Sequence, residues 1–198
     1  METLHRCAWA GDDPLYIAYH DHEWGRPLHD DNKLFEMLIL EGMQAGLSWI
    51  TILRKREAFR TAFDGFDPRI VAGYGPDKAS ALMDNPAIIR NRRKIDAAIN
   101  NARLFLEIQQ EFGSFDSFLW RYVDGAPIIG HVTGVENLPV TTPLSDRLSR
   151  DLKKRGFKFV GSTIVYSYMQ AVGMVDDHTV LCPCHTHNRA KEESPALA

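Results

Sequence analysis

Nothing in this sequence approaches the roughly 18 consecutive apolar residues of a membrane-spanning helix, and its N-terminus lacks the segments of a secretory signal. The expected setting is the cytoplasm, with no membrane partner. Cysteine is scarce: Cys7, Cys182 and Cys184 are the only three, an odd number that argues against a disulfide framework and leaves the thiols open to ligand chemistry. Positive charge is not in excess. With 23 Lys and Arg against 26 Asp and Glu the net charge is −3, so any contact with nucleic acid has to come from a local patch. Strand-like alternation is nearly absent, and no internal repeat is visible. What is there is an ordinary globular composition, 44% hydrophobic and 25% charged over 198 residues. It is enough for one domain, or for two small helical lobes around a cleft.

Helical signals dominate, and the expected fold class is all-α. A first helix opens at "DDPLYIAYHDHEW", with Asp12 or Asp13 as N-cap and Pro14 at the first helical position. A second runs from about Asn32 to Glu41, and a third from near Ser48 to the breakers Gly65 and Pro68. A long helix lies within "PAIIRNRRKIDAAINNARLFLEIQQEFG" and ends at Gly113, and "SFDSFLWRYV" gives a short one. Residues 124–142, with Gly and Pro throughout and no sustained period, read as a long surface connection. "PLSDRLSRDLKKRG" resumes as a helix, and "STIVYSYMQAVG" is a buried helix closed by Gly173. A single domain is expected over 1–187 and a disordered tail over 188–198.

Glu41 is the anomaly of the second helix. Leu34, Met37, Leu38 and Glu41 fall at the spacings of one face, whereas Glu36 lies roughly opposite, as a solvated carboxylate. Glu41 thus sits on an apolar face at a helix C-terminus, where the macrodipole disfavours negative charge, with Gly42 next as a C-cap candidate. Trp49 follows a short loop later. A buried anion beside an aromatic suits a pocket for something cationic or rich in hydrogen-bond donors. The plain alternative is an amphipathic glutamate whose head reaches water past the helix end.

Two further groups carry chemistry. Cys7 and His20 lie near the N-terminus, while "HTVLC" places His178 and Cys182 four apart, a helical spacing for two ligands. A Cys2His2 set suits zinc, and four protein ligands leave no open position for an activated water, so such a site is structural. His22, His29, Cys184, His185 and His187 compete for the same role, and unrelated buried Cys and His residues are the simpler reading of the spacing alone. The second group is "LKKRGFKFVGSTIVYSYMQAVGMVDDH". Lys153, Lys154, Arg155 and Lys158 surround a glycine-containing turn, and a helix begins after it at Gly161, Ser162 and Thr163, where backbone N–H groups can hold a phosphate. Cations that merely favour a helix end explain the same pattern. "RNRRK", Arg90 to Lys94, is a weaker candidate for the same contact.

"PLYIAYHDHEWG", "LFEMLILEGMQAGLSWITILRKRE", "LKKRGFKFVGSTIVYSYMQA" and "VDDH...C" together resemble the bacterial DNA-3-methyladenine glycosylase I family of the helix-hairpin-helix superfamily, over roughly residues 5–184. The resemblance implies a monofunctional repair glycosylase, a monomer in partnership with double-stranded DNA, that flips out 3-methyladenine and hydrolyses its N-glycosidic bond. The products are free 3-methyladenine and an abasic site. It implies one structural Zn2+ per chain in a clasp of Cys7, His20, His178 and Cys182, joining the N- and C-terminal segments. It implies a hairpin at about 154–161 that grips the DNA backbone through Lys154, Arg155, Gly156, Lys158 and Gly161. It also implies a base pocket drawn from Glu41, Tyr16, Tyr19 and Trp49, with Trp9 and Trp24 close by. No lysine stands where related bifunctional enzymes place a Schiff-base nucleophile, so no strand cleavage is expected. Asp176, in "VDDH", occupies the place of the superfamily's catalytic aspartate, which this family usually lacks; it either assists the sugar or hydrogen-bonds the loop beside His178. The rival readings are a zinc-stabilised DNA-binding module without activity and a zinc hydrolase.

Overall fold

The computed structural model describes residues 5–193. In chain order its helices are α1 (Pro14–His22), α2 (Asp31–Gln44), α3 (Trp49–Ala62), α4 (Pro68–Ala72), α5 (Pro76–Asp84) and α6 (Arg92–Phe112). They are followed by α7 (Phe115–Trp120), α8 (Pro143–Lys154), α9 (Ser162–Ala171) and α10 (Thr186–Glu193). The start signals are those of the sequence: Asp13 caps α1 by accepting from the Leu15 N–H, and Pro14 opens the helix. Thr142 and Ser145 form a reciprocal capping box on α8.

α2 is the central element, packed against α3, α6, α7 and α9. Every residue from Leu34 to Met43 is buried, the mark of a helix enclosed on all sides rather than lying on a surface. It therefore continues a turn beyond the expected end at Glu41, and Gly42 is an interior residue, not a C-cap. Glu36 is not solvated either. It is 6% exposed and ion-paired to Arg60 at 2.9 Å and to Arg56, both on α3.

The sequence pattern missed α4 and α5, two short helices that begin at prolines and pack with α6. α6 starts only at Arg92, capped by Asn91, because 86–88 form a turn and the chain is irregular or extended through Asn91. The connection 124–142 holds a short strand, β1 (Ile128–Ile129), paired in parallel with β2 (Val175–Asp176), so that Ile129 stands opposite Asp176. A further bridge joins Val132 to Thr179. This small addition to a helical fold lays the connection against the segment that carries His178. The expected tail is helical through Glu193 in α10, and residues 194–198 lie outside the described residues.

Candidate active site and metal centre

The N-terminal part of α1, the last turn of α2 and the start of α3 converge on a cavity of about 230 Å3. Glu41, Tyr16, Tyr19, Trp49, Trp9 and Trp24 all line it, which brings together the six residues expected for the base pocket. Its walls are aromatic. Trp9 lies 5.1 Å from Tyr16 and 4.8 Å from Trp24, and Tyr19 lies 5.4 Å from Trp49, between ring centroids. Gln44, Ser167, Gln170, Val135 and Leu138 complete the lining. The sequence carried a partial signal for Ser167 and Gln170, since both lie on the buried helix α9. It carried none for Val135 and Leu138, whose segment has no periodicity to read.

Two atoms in this cavity are anomalous. Among the described residues, Glu41 Oε2 and Trp49 Nε1 are the buried side-chain polar atoms without a hydrogen-bond partner. Leaving such groups unpaired costs about 1–3 kcal/mol each, more for a charged one. The contrast with Glu36 on the same helix is direct: one buried carboxylate is held between two arginines, the other faces the cavity with no side-chain or backbone partner for Oε2. Burial pushes the Glu41 carboxyl up from 4.5 to about 8, so at neutral pH most of the resting protein carries it protonated. An acceptor beside a donor, between aromatic faces, fits a planar heteroaromatic ligand that offers one donor and one acceptor edge. A positive charge on that ligand favours the ionised carboxyl.

Next to the cavity lies a buried group of His20, His178, Cys182 and Cys184, whose ligand atoms all fall within 4.8 Å of one another. Both imidazoles are oriented from behind. His20 Nδ1 bonds Asp21 Oδ1 and His178 Nδ1 bonds Asp176 Oδ1, each at 2.7 Å, which turns both Nε2 atoms inward in the way that carboxylates orient metal-ligating histidines. Cys182 Sγ accepts from the Cys184 N–H at 3.4 Å and lies 3.5 Å from His20 Nε2, and the neighbouring Cys184 and Cys7 thiols together with His20 push the Cys182 thiol far below its ordinary range. A sulfur held as thiolate between oriented imidazoles is a donor set for a thiophilic divalent metal, so the residues present fit the expected metal. Gly25 reinforces the arrangement: it has φ +70°, and a Cβ there would stand 2.8 Å from His178 Cε1.

Cys184 joins His20, His178 and Cys182 in this group, while the expected ligand Cys7 packs against Cys182 and Cys184, its Sγ accepting from the Thr179 N–H at 3.3 Å. The helical argument for His178 and Cys182 does not hold, because residues 177–185 are turns and extended chain. A turn closed by the Cys182 N–H on the Thr179 carbonyl at 2.7 Å brings the two side chains together instead.

Asp176 belongs to this centre and does not line the cavity. It is fully buried and accepts from the His178 ring and from the Thr186 N–H at 2.8 Å, with Arg189 at 3.6 Å. Burial alone would raise its carboxyl, but these donors hold it at about 2.

The expected DNA-contacting residues separate as well. Gly156 has φ +98° in the turn between α8 and α9, and Gly161 is the N-cap of α9. Lys153, Lys154 and Lys158 are exposed and make no ion pair among the described residues. Arg155, by contrast, is half-buried and holds Glu111 with both terminal nitrogens, at 2.6 and 3.0 Å, over the rings of Phe112 and Phe118. Lys94 of the "RNRRK" run is buried, its Nζ donating to the carbonyls of Met43 and Ala45 at 2.7 Å each.

Comparison with known proteins gives a consistent picture. The family model described as methyladenine glycosylase matches residues 9–185. DNA-3-methyladenine glycosylase 1 of Escherichia coli (strain K12) is 51% identical over 186 residues, 94% of this chain and 100% of its own. The DNA-3-methyladenine glycosylase of Haemophilus influenzae is 46% identical over 181 residues, 91% of this chain and 98% of its own. A crystal structure of 3-methyladenine DNA glycosylase I superposes with a TM-score of 0.89 at 54% identity, covering 91% of this chain and 100% of that one. A structure describing 3-methyladenine recognition by the Staphylococcus aureus enzyme gives 0.89 at 41% identity, covering 93% of this chain and 98% of that one.

Proposed function

The chain belongs to the methyladenine glycosylase family, and from that premise we infer that it hydrolyses the N-glycosidic bond of 3-methyladenine in alkylated DNA, with the following residues in the following roles. The observation that carries the reading is the pair of unpartnered atoms, Glu41 Oε2 and Trp49 Nε1, in an aromatic cavity. Adenine methylated at N3 is a cation while it is joined to its sugar. Flipped out of the duplex, it offers an amino donor to Glu41, a ring-nitrogen acceptor to Trp49, and its charge and π-face to Tyr16, Tyr19, Trp9 and Trp24. Water then adds to C1′ as the C1′–N9 bond breaks. The bonding pair leaves with the base and quenches its charge, the added water loses a proton, and free 3-methyladenine and an abasic site result. Because the leaving group is already cationic, selective binding of that cation supplies most of what the protein must add.

Asp176 supports His178 rather than the sugar, since its oxygens are spent on His178 and Thr186. A zinc ion held by His20, His178 and Cys182 supplies structural cross-linking between the two ends of the chain. The fourth thiolate comes from either Cys7 or Cys184, both in contact with Cys182. Asp21 and Asp176 fix the tautomers of the two imidazoles.

The last turn of α8 and the turn 155–161 supply sequence-independent affinity for the DNA backbone through Lys153, Lys154 and Lys158 together with the N-terminus of α9. Arg155 braces the turn against Glu111. Replacing the three lysines with alanine should weaken binding to every duplex and reduce the slope of log affinity against log salt by roughly 2–3, with the preference for 3-methyladenine unchanged. Salt titrations of duplex binding check this. The activity itself is tested by measuring free 3-methyladenine released from alkylated duplex, with and without chelator; absence of release under both conditions would leave only a DNA-binding protein.

A further inference from the structure

α6 touches two elements that have to meet the same DNA. Asn101, 3% exposed, bonds both backbone groups of Lys158: its Nδ2 donates to the Lys158 carbonyl at 2.8 Å, and its Oδ1 accepts from the Lys158 N–H at 2.9 Å. Asn100 adds a bond to the Gly156 carbonyl at 3.1 Å. The next residue, Phe159, sits at φ +54°, in the left-handed region that bulky side chains avoid. Such a conformation costs of order 1–3 kcal/mol and persists only where its surroundings impose it. Asn101 imposes it on one side and α2 on the other, where a Cβ at Gly42 would stand 3.3 Å from Phe159 Cβ. Gly42 follows Glu41 directly, so the turn packs against the residue next to the one that faces the cavity.

Seven residues before Asn101, and so on the same face of α6, Lys94 holds the other element. Its ammonium donates to the carbonyls of Met43 and Ala45, which flank the cavity residue Gln44 at the end of α2. Burial lowers the Lys94 pKa, yet two carbonyls at the negative end of a helix dipole are a setting for a buried cation.

We propose that Asn101 and Lys94 are positioning residues that make α6 a spacer: Asn101 locks the backbone-gripping turn, Lys94 locks the mouth of the base cavity, and the helix between them fixes their separation. A flipped nucleotide stays tethered to its own phosphates, so the cavity accepts it only when grip and mouth stand at the distance the tether allows. This rests on the reading of residues 155–161 as the DNA grip.

The test uses the full-length protein carrying Asn101→Leu, Asn101→Asp or Lys94→Met, well below the melting temperature of each. It measures KM and kcat on alkylated duplex and the binding of free 3-methyladenine by tryptophan fluorescence. Loss of one or two buried hydrogen bonds corresponds to about tenfold or more. Asn101→Leu should raise the duplex KM by that factor and leave free-base affinity unchanged. Asn101→Asp, which keeps the acceptor for the Lys158 N–H, should recover part of the loss and serves if the leucine variant does not fold. Lys94→Met should do the converse, lowering kcat and free-base affinity about tenfold with little change in duplex KM. A lower melting temperature with unchanged duplex KM at Asn101, or parallel changes in both readouts for both residues, overturns the spacer. An unchanged salt slope in the triple lysine variant overturns the reading of the grip itself, independently of Asn101.

Discussion

Glu41→Gln should slow single-turnover excision of 3-methyladenine by roughly ten- to hundredfold or more, the equivalent of one charge-assisted hydrogen bond at about 1.5–3 kcal/mol, while making the protein more stable. Both effects have one cause. The cavity leaves Glu41 Oε2 without a partner, so the carboxyl is a cost until a cation arrives. Below the carboxyl's ordinary value of 4.5 it is protonated in the folded and the unfolded chain alike. As pH rises from 4.5 to about 8 the unfolded chain ionises while the folded one holds its proton, and native stability declines; above about 8 the decline is complete. The amide has no such slope. The stability advantage of Glu41→Gln should therefore grow with pH across that window, to an upper bound of about 5 kcal/mol at 1.36 kcal/mol per unit. Thermal melts of both proteins between pH 5 and 8.5 measure it. Excision by the unaltered protein should rise with pH toward about 8, because pairing with the cationic base requires the ionised form. A flat kcat/KM profile over the same range would show that the carboxyl acts protonated. Full activity in Glu41→Gln would remove it from recognition and leave the aromatics alone.

Removal of metal should have the second large effect. One equivalent of zinc is expected in protein purified without chelator, and Cys182→Ser should lose both metal and stability, since binding energy at such a site is folding energy. Even a loss of about 4 kcal/mol, well below the 10–16 kcal/mol of zinc-finger sites, lowers the melting temperature by roughly 8–16 °C in a domain of this size. Excision should fall with it, because the centre and the cavity share a wall: the His20 ring lies 5.1 Å from Trp9, and His178 lies 4.7 Å from Trp24. Cys7→Ser and Cys184→Ser identify the fourth ligand. The family resemblance expects metal loss at Cys7, and the side-chain arrangement expects it at Cys184. No zinc in the purified protein, or a full equivalent retained by Cys182→Ser, rules the centre out.

The sequence by itself determined the helical class, the capped start of α1, and, through the family resemblance, six of the residues that line the cavity. Helix caps and apolar periodicity are local chemistry, and the first two motif blocks carry Tyr16, Tyr19, Trp24, Glu41 and Trp49 in readable order, with Trp9 just before them. It determined too that Glu41 is out of place, since a carboxylate on an apolar face is visible in the spacing alone. Only the tertiary structure decided which of two buried carboxylates is unpaired, because Arg56 and Arg60, which hold Glu36, come from the next helix. Only it decided that Arg155 and Lys94 are braces. A cation's partner lies wherever the chain returns, at Glu111 for one and at the end of α2 for the other. The same holds at the metal centre, where a turn and a parallel strand pair, not a helical repeat, bring His178 and Cys182 beside His20 and leave two thiols, Cys7 and Cys184, next to one thiolate. Periodicity reports which way a side chain faces on its own element. What it meets there depends on residues distant in the chain, and pairing energies that act over a few ångströms decide it only once the chain has folded.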